Sequence, residues 1–385
     1  MEVPIRKNHI IFFSGGKASF ATADFVKKKY PGDNILLYFT DPQWEHKDSY
    51  RFIYEGADKL ELPLLVHSTG LSPMQLMFEK KLVYNNRLGD CSKLLKMRVA
   101  ADYLKKGIEP NIQNWRNANF LKQDDFITGA TLYFGIDYKE MHREKAILKN
   151  WLPFQVEMPL IHNFVRVDDV LKEYGIRQPD LYKLGFSHSN CSGRCVKAGM
   201  GHFRNLKKTM PEVFKKLMEE EYHLYMCVSA YRYIIDNTVP DEDRIPLHVQ
   251  EMMLQELDDA YRDYFYGRAD KPKLYIHPSA SASARYMKIR KYSFMKRQGN
   301  SLVENSNNTI DAEEETVALD RQEMMDLELY DEYEEDGASL TKYRYASVPY
   351  TLRDFNNDEE TKPDQIDLFD IGGCGCFLDF ENQTV

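Results

Sequence analysis

A chain of 385 residues, 43% of them hydrophobic, is long enough for one large or two ordinary domains with real cores. No apolar run approaches the length of a membrane span, and the start Met1-Glu2-Val3 lacks the shape of a signal peptide, so the expectation is a cytoplasmic protein with no membrane partner. Six cysteines, four of them in two tight pairs, read as a metal site in a reducing compartment rather than as a disulfide framework. The net charge of −9 is uneven: residues 311–336 hold thirteen acids and one base, which leaves the remainder near +3. The acidic balance therefore neither supports nor excludes a nucleic-acid partner for the folded part.

The segment at residues 10–19, IIFFSGGKAS, organises the reading. An apolar run predicts a buried strand, Ser14-Gly15-Gly16 breaks it, and residues 17–29 follow a helical pattern. A strand, a glycine turn and a helix in that order bring backbone N–H groups and the positive end of a helix dipole to one point, which is a phosphate cradle. Gly15 and Gly16 let the backbone approach an anion, Ser14 and Ser19 offer hydroxyl donors, and Lys17 offers a charge. The spacing is not that of a Walker A loop. The alternative is a glycine-rich turn with no ligand.

Residues 34–41 predict a second strand that ends in Asp41, at the sheet edge where ligands bind in open α/β folds. Asp41 there meets a ribose or an adenine, or else only shapes a turn before Pro42. A helix at 46–60, a strand at 62–68 and a helix at 72–81 continue the alternation, which argues for a parallel sheet. Cys91 opens the next helix with Lys93 and Lys96 close by. A thiol so placed is expected to have a lowered pKa, as a nucleophile, sulfur carrier or cluster ligand, unless it is a small buried residue at a helix start. Residues 125–132 predict a fourth strand and 156–161 a fifth. Between them Gly135, Asp137, Glu140, His142 and Arg143 crowd one stretch, where Arg143 can clamp a phosphate or sulfate. A short helix follows at 168–174.

Cys191 and Cys195 stand three residues apart among Gly and Ser, and Cys374 and Cys376 lie in GGCGC near the end of the chain. Two such pairs make a four-thiolate metal site, Zn²⁺ or a [4Fe-4S] cluster. His188 and His202 flank the first pair as spare ligands, bases or structural residues. Cys227 sits in an apolar helix and reads as core. Residues 271–297 carry eight basic residues and no acid among aromatics, a composition for a nucleic-acid backbone or for a solvated hairpin.

The loop SGGKAS resembles that of the PP-loop families: ATP pyrophosphatases, adenine nucleotide α-hydrolases and phosphoadenosine-phosphosulfate (PAPS) reductases. Ala18 stands where those families usually carry Asp. DCSKLLK resembles the CC-x-x-x-K element of sulfonucleotide reductases, with Ser92 in place of the second Cys. With the YFTD strand end, GIDYKEMHR, SHSNCSGRCVKAG and GGCGCF, the chain is identified as similar to the PAPS-reductase-like PP-loop proteins.

The resemblance implies a Rossmann-like α/β fold with a PP-loop, followed by a mainly helical cysteine-bearing region. The expected divisions are 1–165 for nucleotide binding, 166–270 helical with the first Cys pair, 271–345 a basic then acidic insertion, partly disordered, and 346–385 with the second pair. The implied ligands are ATP or a related adenine nucleotide, with Mg²⁺. Ser14, Gly15, Gly16, Lys17, Ser19 and Asp41 would bind it, and Cys91, Lys96 and Arg143 would act on it. The expected reaction is cleavage of ATP between the α and β phosphates to activate a small-molecule or nucleic-acid substrate for sulfur transfer or nucleic-acid modification, with a sulfur-donor protein as partner. A PAPS-type reductase and a non-catalytic nucleotide-binding regulator are the alternatives.

Overall fold

The computed structural model describes residues 6–82, 89–189, 191–235 and 244–273, four short strands between 295 and 343, and the helix Leu352–Asp358. The chain divides into two units. The first takes in residues 1–76, 85–215 and 364–385, and the second residues 77–84 and 216–363.

The first unit is built on a six-stranded sheet: β1 (Asn8–Phe12), β2 (Asn34–Thr40), β3 (Leu64–Ser68), β4 (Ile112–Arg116), β5 (Thr131–Phe134) and β6 (Gln155–Glu157). Its order is β4-β3-β2-β1-β5-β6, parallel throughout except that β4 runs antiparallel to β3. Alternate residues of the central strands enter two separate cores, because side chains leave a strand on opposite faces. Ile11, Phe13, Leu37 and Phe39 join Phe20, Val26, Phe52 and Ile53 of the helices α1 (Lys17–Lys29) and α2 (Lys47–Leu60). Ile10, Phe12, Leu36 and Tyr38 join Leu132, Phe134, Trp151 and residues of α5 (Arg98–Lys106) on the other face. Burial on both faces explains why these strands read as continuous apolar runs.

Strand order reverses beside β1: β2 lies on one side and β5 on the other. The crevice at their carboxyl ends is the topological switch point, where open α/β sheets bind ligands. The Rossmann-like α/β architecture is therefore present.

Three local expectations are corrected. The strand expected at 125–132 begins only at Thr131, because the Asp125 carboxylate accepts the N–H groups of Ile127 and Thr128 and closes a turn. The strand expected at 156–161 is cut at Glu157, and Pro159 starts the short helix α7 (Pro159–His162). The antiparallel edge strand β4, IQNWR, was not anticipated. It is largely exposed and carries no apolar period.

Beyond the sheet the first unit is mainly helical, with α8 (Val167–Glu173), α9 (Asp180–Lys183) and α10 (Met200–Thr209). In the second unit Phe78 stacks on Phe265 of the helix α12 (Leu247–Phe265), and Arg262 bridges Glu79 and Asp258. Buried Cys227 is core there, as expected. Most of the basic stretch and of the acidic run lies outside the described residues. Their ends supply backbone to the hairpin strands Met295–Gln298 and Tyr330–Glu335.

Asp48, in the first turn of α2, fastens α9 to the sheet layer. It accepts the Asp180 N–H at 2.8 Å and pairs with Arg51 and Arg177. Burial alone would raise its carboxyl, but the Arg51 and Asp180 hydrogen bonds and the two guanidinium charges outweigh that and hold it at about 2. A carboxyl depressed on folding stabilises fully above its unfolded value near 4 and loses that contribution as pH falls towards 2. Asp48→Asn should therefore lower stability at pH 7 by about 2 kcal/mol. The gap from wild type should narrow between pH 4 and pH 2 in denaturant titrations. A gap independent of pH would mean that the carboxylate charge is not what holds α9.

Candidate nucleotide site

A pocket opens at the switch point. It is lined by the ends of β1, β2 and β5 (Phe12, Tyr38, Phe39, Thr40, Phe134), by Ser14, Gly16, Ala18 and Ser19 of the loop, and by Lys96, Glu140, Arg143, Tyr182 and His188.

The loop forms as its residue types dictate. Gly15 has φ +79°, and a Cβ there would lie 2.9 Å from the Ile53 side chain, so only glycine lets the turn lie against α2. α1 begins at Lys17 with no side-chain cap and no acid in its first turn, while Lys27, Lys28 and Lys29 close its other end. Its N-terminal N–H groups thus keep their partial positive charge for a ligand. Ser14 is exposed and lines the pocket. The Ser19 hydroxyl instead donates to the Gly16 carbonyl at 2.8 Å and tightens the first turn.

The opposite wall is Gly135, directly after β5. A Cβ at this position would lie 2.5 Å from the Ser19 nitrogen and 2.6 Å from its Cα. The backbone after β5 therefore touches the N-terminus of α1, and no side chain fits between them. From the following 3₁₀ turn, Tyr138–Arg143, the Arg143 side chain is buried and pairs with Glu140. Its Nε is buried without a hydrogen-bond partner while the residue lines the pocket. An orphaned guanidinium N–H beside an uncapped helix start is a place for an anion. His188 lies against the same pair. Burial lowers its pKa and Arg143 adds to this, against the opposing Glu140 charge, so the ring is neutral at pH 7.

Lys96 connects this pocket to the cysteines. The helix α4 (Asp90–Ser92) runs through a π-turn, Lys93–Met97, into α5. Such turns widen a helix locally and recur at functional sites. Lys96 is buried, and its ammonium lies 3.0 Å from the Glu45 carboxylate. Burial would lower its pKa, but the charge of Glu45 and the Cys191 and Cys91 thiols keep the ammonium protonated. Glu45 also accepts the Cys191 N–H. That bond steadies a knuckle in which Cys191 and Ser192 both adopt left-handed conformations, at a cost on the order of 1 kcal/mol each. Arg194 stacks on Trp44, 3.6 Å from the ring centroid, and the Ser192 hydroxyl donates to the Trp44 carbonyl at 3.1 Å.

The structure redraws several expected roles. Burial raises the Cys91 thiol to about 11, reinforced by nearby Cys195 and only partly opposed by Lys96, so the expected lowering is wrong. Cys191 and Cys195 bear on each other's ionisation: the pairing lowers Cys195 to about 7 against its burial and raises Cys191. Lys17 contributes backbone, but its ammonium turns away to Asp168 at 3.0 Å and over the Tyr182 ring. Asp41 does not line the pocket. It accepts the Gln43 N–H and the Tyr50 hydroxyl, both at 2.7 Å, and shapes a turn. Cys374 and Cys376 lie outside the described residues. Among the described residues no group of three or more His, Cys, Asp or Glu side chains is disposed to hold a metal ion. His202 is structural, with Nε2 2.7 Å from the Gly193 carbonyl oxygen. Glu45 and Tyr182 were missed. Their only signals were an acid just past a strand end and a tyrosine in the short helix after Pro179.

This geometry defines a Rossmann-like α/β domain with a pocket at its switch point. Residues 8–113 match the model of the phosphoadenosine phosphosulfate reductase domain, a PP-loop, adenine nucleotide α-hydrolase-like family. The match takes in the loop, the β2 edge, Cys91 and Lys96, and ends before Arg143, Tyr182 and the Cys191–Cys195 knuckle. No curated protein and no solved structure gives a significant match to the chain. No helix among the described residues is long and apolar enough to cross a membrane.

Gly135→Ala tests the contact on which the pocket depends. With backbone 2.5 Å from the added methyl, the variant should lose about 1–3 kcal/mol of stability and most of its affinity for ATP. Calorimetric melting and titration with ATP would measure both. Wild-type affinity in the variant would show that this wall does not shape the site.

Proposed function

We propose that the chain is an adenine-nucleotide-dependent enzyme that cleaves ATP between the α and β phosphates and uses the activated intermediate for sulfur transfer. The observation that carries this reading is Lys96, which lines the nucleotide pocket and bears electrostatically on the thiols of Cys91 and Cys191. The start of α1, Ser14 and the unpartnered Arg143 Nε face one cavity and suit a polyphosphate, which brings its own Mg²⁺ as part of the substrate. Attack by a substrate oxygen on the α phosphorus would form an adenylate and release pyrophosphate. A sulfur nucleophile would then displace AMP. The chain's residues supply fixed donors and cations for the charge that develops on phosphate oxygens, and Cys195, nearest to a thiolate at neutral pH, suits the receipt or delivery of sulfur.

Cys191 and Cys195, both free, buried and electrostatically coupled to each other, favour a second reading. In it the two thiols reduce a sulfonucleotide such as PAPS, releasing sulfite and the nucleotide and closing a disulfide.

Two parallel incubations, one with ATP labelled in the α phosphate and one with PAPS, each with and without a thiol donor, separate the readings. Labelled AMP with matching pyrophosphate supports the first, and sulfite from PAPS the second. Neither product under any donor would overturn both. Under the first reading Arg143→Lys keeps the charge but loses the planar donor fork, and the rate of pyrophosphate release should fall about 100-fold. An unchanged rate would remove Arg143 from the reaction.

A further inference from the structure

Tyr182 belongs to α9, sixty-nine residues past the end of the matched domain, yet its hydroxyl reaches the start of the phosphate loop. The Lys17 N–H, the first of α1, donates to the phenol oxygen at 3.4 Å. A Cβ at Gly16 would lie 3.2 Å from that oxygen. The ring lies under the Lys17 ammonium, 4.9 Å from its centroid, and Asp168 holds that ammonium from the other side. The phenol is thus held against the start of α1.

A hydroxyl has one proton and two lone pairs. Here the Lys17 N–H addresses a lone pair, so the proton points elsewhere. Among the described residues no acceptor takes it, and Tyr182 lines the nucleotide pocket. Burial raises the phenol pKa, so the group stays an O–H donor throughout the physiological range.

Resting on the nucleotide reading, we infer that Tyr182 is an anion-binding residue: its O–H donates to a phosphate oxygen of the bound nucleotide at the Gly16–Lys17 end of the loop. The hydroxyl, polarised by the Lys17 N–H it accepts, presents one strengthened donor to the ligand. It extends the cradle exactly where the side chain of Lys17 has turned away. The class of ligand follows: an adenine nucleotide with a polyphosphate or comparably charged chain, rather than a nucleoside.

Tyr182→Phe keeps the ring and its contact with Lys17 and removes only the hydroxyl. Titration calorimetry should show ATP and inorganic pyrophosphate binding about tenfold more weakly, with adenosine binding and the melting temperature unchanged. In the otherwise unaltered chain, 3-fluorotyrosine placed at position 182 should give a fluorine signal that moves with pyrophosphate and not with adenosine, a readout that does not depend on the variant folding. Equal or tighter ATP binding by Tyr182→Phe, or a fluorine signal indifferent to pyrophosphate, would overturn the assignment while leaving the nucleotide reading in place. Failure of the wild type itself to bind ATP or pyrophosphate would overturn both.

Discussion

The first turn of α1 lies against the backbone of Gly135, with no room for a side chain between them. This contact sits where strand order reverses, so it joins the ends of β1 and β5 to one helix start. It sets the depth of the crevice, because any Cβ at Gly135 would push α1 away and open the site to water. It also decides which groups can share a ligand. Arg143 follows Gly135 by eight residues and comes back to the pocket through a single 3₁₀ turn. Gly15 makes the complementary approach on the other side, against Ile53 of α2. Two glycines therefore hold a helix terminus between two walls, and the pocket is what remains.

Beside this cradle lies a second set of buried charges. Glu45 and Lys96 form an ion pair whose desolvation is offset by a further hydrogen bond from the Cys191 N–H to Glu45 and by the electrostatic influence of the Cys191 and Cys91 sulfurs on Lys96. Isolated, such a pair would be a weak source of stability. Here it holds a strained knuckle, Cys191 and Ser192, over the helix that carries Cys91. The π-turn at Lys93–Met97 is the local deformation that accompanies Lys96 at this point. Ionic and thiol chemistry are thus kept within reach of the nucleotide pocket without being part of its wall, apart from Lys96 itself.

Much of the fold was legible because its physics is local. Ile10 to Phe13 and the residues of β2 are buried on both faces, and such strands announce themselves as unbroken apolar runs. The loop was legible from Ser14-Gly15-Gly16 alone. What escaped depends on contacts between distant segments. β4 is an exposed edge strand without apolar period, and the Asp125 turn and Pro159 shifted two boundaries through single side chains. Charge environments were least legible. The sequence puts Cys91 beside two lysines at a helix start, which argues for a lowered pKa, but burial among other thiols decides the opposite. Lys17 has the right position for a phosphate contact, yet Asp168, 151 residues on, takes its ammonium.

That diversion of Lys17 bears on how the site discriminates. A lysine reaching into the cradle would attract any anion as a mobile point charge. With its ammonium held outside, the cradle is left with backbone N–H groups, the Tyr182 hydroxyl and the fixed fork of Arg143. These donors are directional and none has to reorganise greatly to meet a ligand. Under the proposed nucleotide reading, such a site would select by the placement of oxygens rather than by charge alone. Asp48 contributes at one remove, since it anchors the α9 backbone that carries Tyr182. The anion site thus draws its geometry from α1, from the turn after β5 and from α9, and only the first of these lies within the matched domain.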